Sequence, residues 1–303
     1  MDSRSRSSAL VALFLGAIAL GFTPIFVRLT ETGPAAAGFW RLLLALPMLA
    51  TFAFRGEGAK GPDRVILLAG VFFALDLAFW HYSIAYTSVM NATVLANLTP
   101  IVVTVVGWWL FRERPARAFV IGLALGIAGA VMVALARHAG PQIGTRPGLG
   151  DAFAALTTFW YSGYFLCVRF ARGSRNTGTI MFWSSLVGVF ALAAVMFALR
   201  ESVIPTGWSG WGACLGLALV HVLGQGAIAW ALGRLPAATA AVVVLIQPVV
   251  AAFLGWVLFG EAVGPMQAAG AALALAGVAI AQWAAARTPP SPLAGEGVGA
   301  ADG

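Results

Sequence analysis

Ten apolar runs of about twenty residues follow one another along the chain, at roughly 8–28, 36–54, 65–86, 89–110, 117–136, 149–168, 178–199, 211–232, 236–259 and 265–286. A helix needs about 20 such residues to cross the ~30 Å hydrocarbon core of a bilayer. Water is absent there, so a crossing segment must satisfy its own backbone, which a helix does. Joints rich in Gly, Pro and charge separate the runs, among them RGEGAKGPDR, RERPAR and RHAGPQIGTRPG. The pattern predicts an all-α integral membrane protein of ten transmembrane helices. Charge agrees: 10% of the residues are charged, whereas a soluble domain needs about 25%. The run from Ala9 to Val27 exceeds a 7–15-residue signal core and reads as the first transmembrane helix.

The net charge of +7 does not indicate nucleic acid. Nucleic-acid binding clusters its basic residues on one face, and here they stand singly or in small groups between apolar runs. They read as orientation signals instead. With the N-terminus in the cytoplasm, thirteen Lys and Arg fall in the inside joints and tail segments. Arg28, Arg137, Arg146 and Arg200 fall outside, and Arg41 lies within a helix. That bias predicts a multi-pass protein of the bacterial inner-membrane type with both termini cytoplasmic. The expected partners are the lipid bilayer and a small-molecule substrate. Cys167 and Cys214 both sit in apolar runs and read as packing residues. No metal-ligand spacing occurs, and no cofactor is expected.

A shift of 148 residues brings Pro100, Gly107, Trp108, Leu110, Phe111 and Glu113 onto Pro248, Gly255, Trp256, Leu258, Phe259 and Glu261. Gly122 and Gly129 fall on Gly270 and Gly277 in the same register. Earlier helices match at slightly different shifts, Val27-Arg28 with Val168-Arg169 and Phe39-Trp40 with Phe182-Trp183. Helices 1–5 and 6–10 therefore read as two copies of one unit. Five is odd, so the second copy enters the membrane from the opposite side, an inverted-topology repeat of the kind secondary transporters use. The units span 8–136 and 149–287, joined by a loop over 137–148. The Pro/Gly/Ala-rich tail 288–303 reads as disordered.

The doubled pattern of Pro, then Gly-Trp, Leu-Phe and Glu, followed by a glycine-containing helix, resembles the EamA domain of the drug/metabolite transporter superfamily. The resemblance covers about residues 10–286. It implies two inverted five-helix repeats around a central cavity exposed alternately to each side. It also implies transport of small metabolites, often export of amino acids or related compounds. Arg112 and Arg114 of the first copy become Gly260 and Ala262 in the second, which argues against a shared chemical role for those arginines.

Polar residues inside a membrane mark functional candidates. Asp76 is the one acid deep in a run, where a charged Asp costs ~2.5–3.5 kcal/mol. It suits proton exchange or a substrate ammonium group, or else a structural pair with Arg41. Arg41 lies ~8 Å from the outer end of its helix at 1.5 Å per residue. From there it can snorkel to the interface or serve a substrate carboxylate. Trp80 shares a face with Asp76, while His81 is rotated away from it. Asn97, Trp160, Tyr164, Gln225 (one turn after His221) and Gln247 add polar handles at mid-depth from other helices, and substrate contact competes with interhelical hydrogen bonding at each. Pro100 and Pro248 each remove a helical N–H, freeing the carbonyls of Ala96 and Val244 near the midplane. Gly122 and Gly126 form a GxxxG able to pack helices within a protomer or to join a homodimer; the first is favoured, since a bundle of this size needs close crossings. No GxxxxGK[ST] loop for ATP occurs, and no nucleophile motif accompanies the histidines, so an enzyme is not expected. The reading is a secondary transporter, an exporter of small metabolites with proton coupling as one option. An uncoupled facilitator and a membrane enzyme are the alternatives.

Overall fold

A computed structural model describes residues 3–56, 61–99, 101, 102, 105, 116–136, 144–171, 174–227, 243 and 246–287. The described residues form helices and no strands. In chain order these are α1 Ser3–Gly21, α2 Thr23–Leu29, α3 Pro34–Gly56, α4 Arg64–Tyr86, α5 Val89–Ala96, α6 Arg117–Leu135, α7 Pro147–Ala171, α8 Thr177–Ala198, α9 Trp208–Leu219, α10 Ile246–Phe259 and α11 Pro265–Arg287. Among the described residues, five stretches are long and apolar enough to cross a membrane: Ser7–Leu29, Pro34–Arg55, Arg64–Tyr86, Arg117–Leu135 and Thr177–Ala198.

Two runs are less regular than their hydropathy suggests. The first breaks at Phe22, because Pro24 has no N–H to donate and starts a fresh helix, α2. The eighth run passes from α9 into a π-helical turn, Val220–Gln225. Elsewhere polar side chains open the helices by accepting otherwise orphaned N–H groups. Asp63 takes that of Ile66 at 2.9 Å, Ser88 that of Asn91 at 3.1 Å, and Asn176 that of Thr179 at 2.8 Å.

The first-half helices pack largely on second-half helices. α6 lies on α11, α4 on α7 and α8, α3 on α8 and α9, α1 on α10 and on the π-helical turn, and α5 on α7 and α10. The α6–α11 crossing is the closest. A Cβ on Gly122 would stand 2.5 Å from the Ala281 nitrogen and 2.7 Å from the Gly277 carbonyl oxygen. A Cβ on Gly129 would collide with the Ala274 nitrogen and the Gly270 carbonyl oxygen. The glycines thus pair crosswise, 122 with 277 and 129 with 270. They bring backbone against backbone within one chain, and the GxxxG at Gly122 serves this contact.

Two carboxylates lock the ends of α3 and α9 reciprocally. Glu201, in the α8–α9 loop, accepts the Ala36 N–H at 2.9 Å and the Ala35 N–H at 3.3 Å at the start of α3, and the Tyr82 hydroxyl donates to it as well. Glu31, in the α2–α3 loop, accepts the Thr206 hydroxyl at 2.6 Å and the Gly207 N–H at 2.9 Å at the start of α9. Glu31 and Arg200 adopt left-handed backbone (φ 58° and 53°), a cost of about 1–2 kcal/mol each that the anchored loops sustain.

Gly129→Val should destabilise the fold by roughly 1–3 kcal/mol, while Gly212→Ala, at a position with open space around it, should leave it intact. Thermal unfolding in detergent compares them. The Thr206 hydroxyl, then the Gly207 N–H, hold the Glu31 carboxyl below its ordinary 4.5. A lowered folded-state value means that the latch contributes above the unfolded value and is lost as pH falls through the folded one. Wild type should therefore lose Tm relative to Glu31→Gln as the buffer is taken from pH 7 toward pH 3.

Candidate functional site

Where α3, α4, α7, α8 and the π-helical turn converge, the core is polar. Close approach brings them together. Gly38 of α3 lies against α4: a Cβ there would be 3.3 Å from His81 Nδ1. Gly70 of α4 faces the Ser184 carbonyl and Val187 of α8. One turn beyond Gly38 stands Arg41, 2% exposed and the largest of the fully buried side chains. Asp76 is 6% exposed, and His81 and His221 are fully buried. Arg41 lies within electrostatic range of Asp76, Tyr161, Tyr164 and both histidines.

The interior position of Arg41 is at odds with snorkelling. Depth along a helix sets the distance to the interface, but packing by α4 and α8 decides whether the side chain can reach it. Arg41 and Asp76 do not form a direct bridge either. Among the described residues Arg28 and Glu261 make the ion pair within 4.0 Å. Arg41 Nε and Nη1 have no hydrogen-bond partner among the described residues. His81 Nδ1 sits 3.0 Å from the Pro34 carbonyl. A carbonyl only accepts, which assigns the proton to Nδ1 and leaves Nε2 as a free acceptor in the neutral ring. Ser185 Oγ contacts His221 Nε2 at 3.3 Å. Ser184 Oγ donates to the Met181 carbonyl at 3.3 Å, and the rings of Tyr161 and Tyr164 lie tilted against each other with centroids 5.9 Å apart. Phe73 stacks on Tyr164 at 4.6 Å and on His221 at 5.5 Å, forming an apolar wall beside the charges.

The remaining expected site residues stand apart from Arg41. Trp80 is buried with Val27, Ala37, Ile84, Ala92 and Leu217, and its Nε1 lacks a partner. Trp160 packs against Phe72 and Phe79. Asn97 donates to the Thr93 carbonyl at 2.8 Å and closes α5. Gln247 and the buried Pro248 open the described part of α10. Pro100 and Val244 lie outside the described residues, but the Ala96 carbonyl that Pro100 leaves without its helical donor accepts the Thr99 hydroxyl at 2.8 Å.

A second buried network was not foreseen from the sequence. Arg28 Nη1 donates to Glu261 Oε1 at 2.5 Å, and Nη2 to the carbonyls of Thr87 (2.8 Å) and Ile84 (3.2 Å). Glu261 accepts the Val89 N–H at 3.0 and 3.1 Å. The cation therefore sits at the negative end of α4 and the anion at the positive end of α5, in line with both helix dipoles. Beside it, Asp151 accepts from the Thr87 hydroxyl at 2.7 Å and the Asn91 amide at 3.1 Å, and Gln267 donates to Asn91 at 2.6 Å. The doubled Glu of the repeat was the available signal, but it served there only to set the register.

Comparison with known proteins fits this architecture. The profile of the EamA-like transporter family matches residues 7–135 and again 148–282. The chain belongs to the EamA-like transporter family. An uncharacterized transporter of Archaeoglobus fulgidus is 27% identical over 280 residues, covering 89% of this chain and 94% of its own. The pseudopaline exporter CntI of Pseudomonas aeruginosa is 26% identical over 209 residues, 69% of this chain and 71% of its own. A probable amino-acid metabolite efflux pump of Salmonella typhimurium is 27% identical over 293 residues, 91% of this chain and 95% of its own. A solved crystal structure superposes with a TM-score of 0.64 at 23% identity, over 93% of this chain and all of its own, which speaks for the fold alone. The EamA-like chain is thus a membrane transporter by family.

Removing one half of a buried pair strands the other. Arg28→Met should cost about 3–5 kcal/mol, and Arg28→Met with Glu261→Met together should cost less than the sum of the two single changes. A double-mutant cycle by thermal unfolding measures this; strict additivity would mean the pair is not coupled.

Proposed function

We propose that this EamA-like protein is a secondary transporter that exports small metabolites, such as amino acids or related compounds, by alternating access. The observation that carries the reading is the buried group of Arg41, Asp76, His81, Tyr161, Tyr164 and His221 between helices of both halves. Charges so deep in an apolar bundle are costly and mark solute or ion pathways. Relatives named as an exporter and an efflux pump support the direction. No ATP-binding loop is present in the sequence, so the driving force is a solute or ion gradient rather than nucleotide hydrolysis by this chain.

Crosswise contacts support the inverted repeat. Gly122 meets Gly277 and Gly129 meets Gly270, which is what a two-fold axis relating residue i to residue i+148 requires. Whole helices follow the same rule: α4 on α7 is the counterpart of the π-helical turn on α1, and α5 on α7 the counterpart of α10 on α1. Two such halves can rock about a shared site. The Lys/Arg distribution assigns both termini to the cytoplasm and the Arg28–Glu261 corner to the outer side. In a bacterial inner membrane, export would then require that corner to part while the buried group stays with the solute. Asp76 is the group that couples solute movement to protons.

Purified protein in proteoliposomes, without ATP, should release a preloaded metabolite mixture faster than empty vesicles. Asp76→Asn should abolish the pH dependence of that release with no loss of folded protein. Absence of any flux, together with conversion of a lipid or peptide, would replace the transporter reading with an enzymatic one. Flux in Asp76→Asn that keeps its pH dependence would make Asp76 structural.

A further inference from the structure

We propose that Arg41 is the binding point for a carboxylate on the transported solute. The inference rests on the transporter reading above and adds the solute's chemistry to it.

The argument starts from an imbalance. A guanidinium offers five N–H donors and no acceptor, and Arg41 is 2% exposed. Two of its nitrogens, Nε and Nη1, find no acceptor among the described residues. Each buried donor left unmet costs about 1–3 kcal/mol, more on a charged group. The Arg28 guanidinium shows how this chain satisfies an arginine when its role is to hold the fold: a carboxylate and two carbonyls take its donors directly.

Around Arg41 no acceptor among the described residues engages Nε or Nη1. Asp76 is within electrostatic range yet outside bridging distance. Unmet guanidinium donors suit an oxyanion, and the planar guanidinium matches a carboxylate best. The stacked rings of Phe73, Tyr164 and His221 provide flat apolar surface for the rest of the solute.

Charge at Arg41 disfavours a cation as the group it holds. A cationic solute group placed beside the guanidinium would be repelled by it. At ~5 Å and an effective dielectric of ~20 that repulsion is roughly 3 kcal/mol. A carboxylate there is attracted to the guanidinium and satisfies the orphaned donors.

The test uses full-length protein in lipid nanodiscs and follows the thermal midpoint with five probes at equal concentration. These are a pool of the twenty L-amino acids, the pool of their α-carboxamides, a pool of simple mono- and dicarboxylates, inorganic phosphate, and sulfate. The amino-acid pool, the carboxylate pool or both should raise the wild-type midpoint, and the carboxamides should not. Arg41→Met should weaken the apparent affinity of the stabilising pool roughly tenfold or more, with Arg41→Lys in between. A merely structural arginine would lower the starting midpoint of both variants and leave the difference between acids and amides unchanged. Equal stabilisation by amides, no stabilisation by any carboxylate, stabilisation by phosphate or sulfate alone, or an unchanged response in Arg41→Met would each overturn the assignment. Should Arg41→Met fail to fold, the acid-against-amide comparison on wild type and the Arg41→Lys titration decide.

The two readings fail separately. Export of a neutral or cationic metabolite would remove the carboxylate anchor and keep the transporter. Carboxylate binding that depends on Arg41, with no flux, would do the reverse.

Discussion

Inside hydrocarbon there is no water to complete a hydrogen bond, so every N–H, carbonyl and charge must find its partner within the chain. Most features of this protein answer that constraint. Helices satisfy their own backbones between their ends, and the ends borrow acceptors from distant segments. Glu201 closes the start of α3, Glu31 the start of α9, and Glu261 the start of α5. Arg28 takes up the last carbonyls of α4 and is neutralised by the same Glu261. These contacts are worth more together than singly, because each removes a buried orphan and fixes where two helices meet. Arg41 is conspicuous against this background, as the buried charge whose donors the described protein leaves unmet.

Close packing follows from a different property, the absence of side chains. Without a hydrophobic drive between helices in lipid, association rests on contact. The glycines of α6 and α11 let the two backbones touch. Larger apolar residues such as Phe190, Phe197 and Trp256 remain exposed on the outside of the bundle, where acyl chains are the natural solvent. The polar interior is enclosed by the same helices, so substitutions that loosen a glycine crossing also alter the surroundings of the charges.

Much of the fold was legible in the sequence because hydropathy and glycine spacing are local and periodic. The runs around α3, α4, α6 and α8 correspond to long helices, and the GxxxG at Gly122 found its use within the chain. The break at Phe22 and the π-helical turn at Val220 were not legible, since a uniformly apolar run conceals where hydrogen bonding changes register. The site was readable in kind rather than in arrangement. Asp76, Arg41, His81 and Tyr164 stood out as costly polar residues, and they converge. Arg41 was expected near the interface because its rank along the helix is visible in sequence and the packing on its face is not. Asn97 and Gln247 do not share that neighbourhood, and Trp80 touches it through the His81 ring at 5.8 Å. Arg28 and Glu261 are separated by 233 residues, and no local signal links an arginine in the last turn of α2 to a motif glutamate that far away.

The crosswise packing bears on how the molecule is made. α1, α3 and α6 find principal partners in α10, α8 and α11, all of which belong to the second half and are synthesised after them. The first five helices therefore leave the ribosome with their glycine faces and their buried arginines uncovered. Until the second half has been inserted, Arg28 has no Glu261 and α6 has no α11. The nascent first half must be held, by the insertion machinery or by lipid, in a state that differs from its final one. Completion of the chain is then the event that closes the structure.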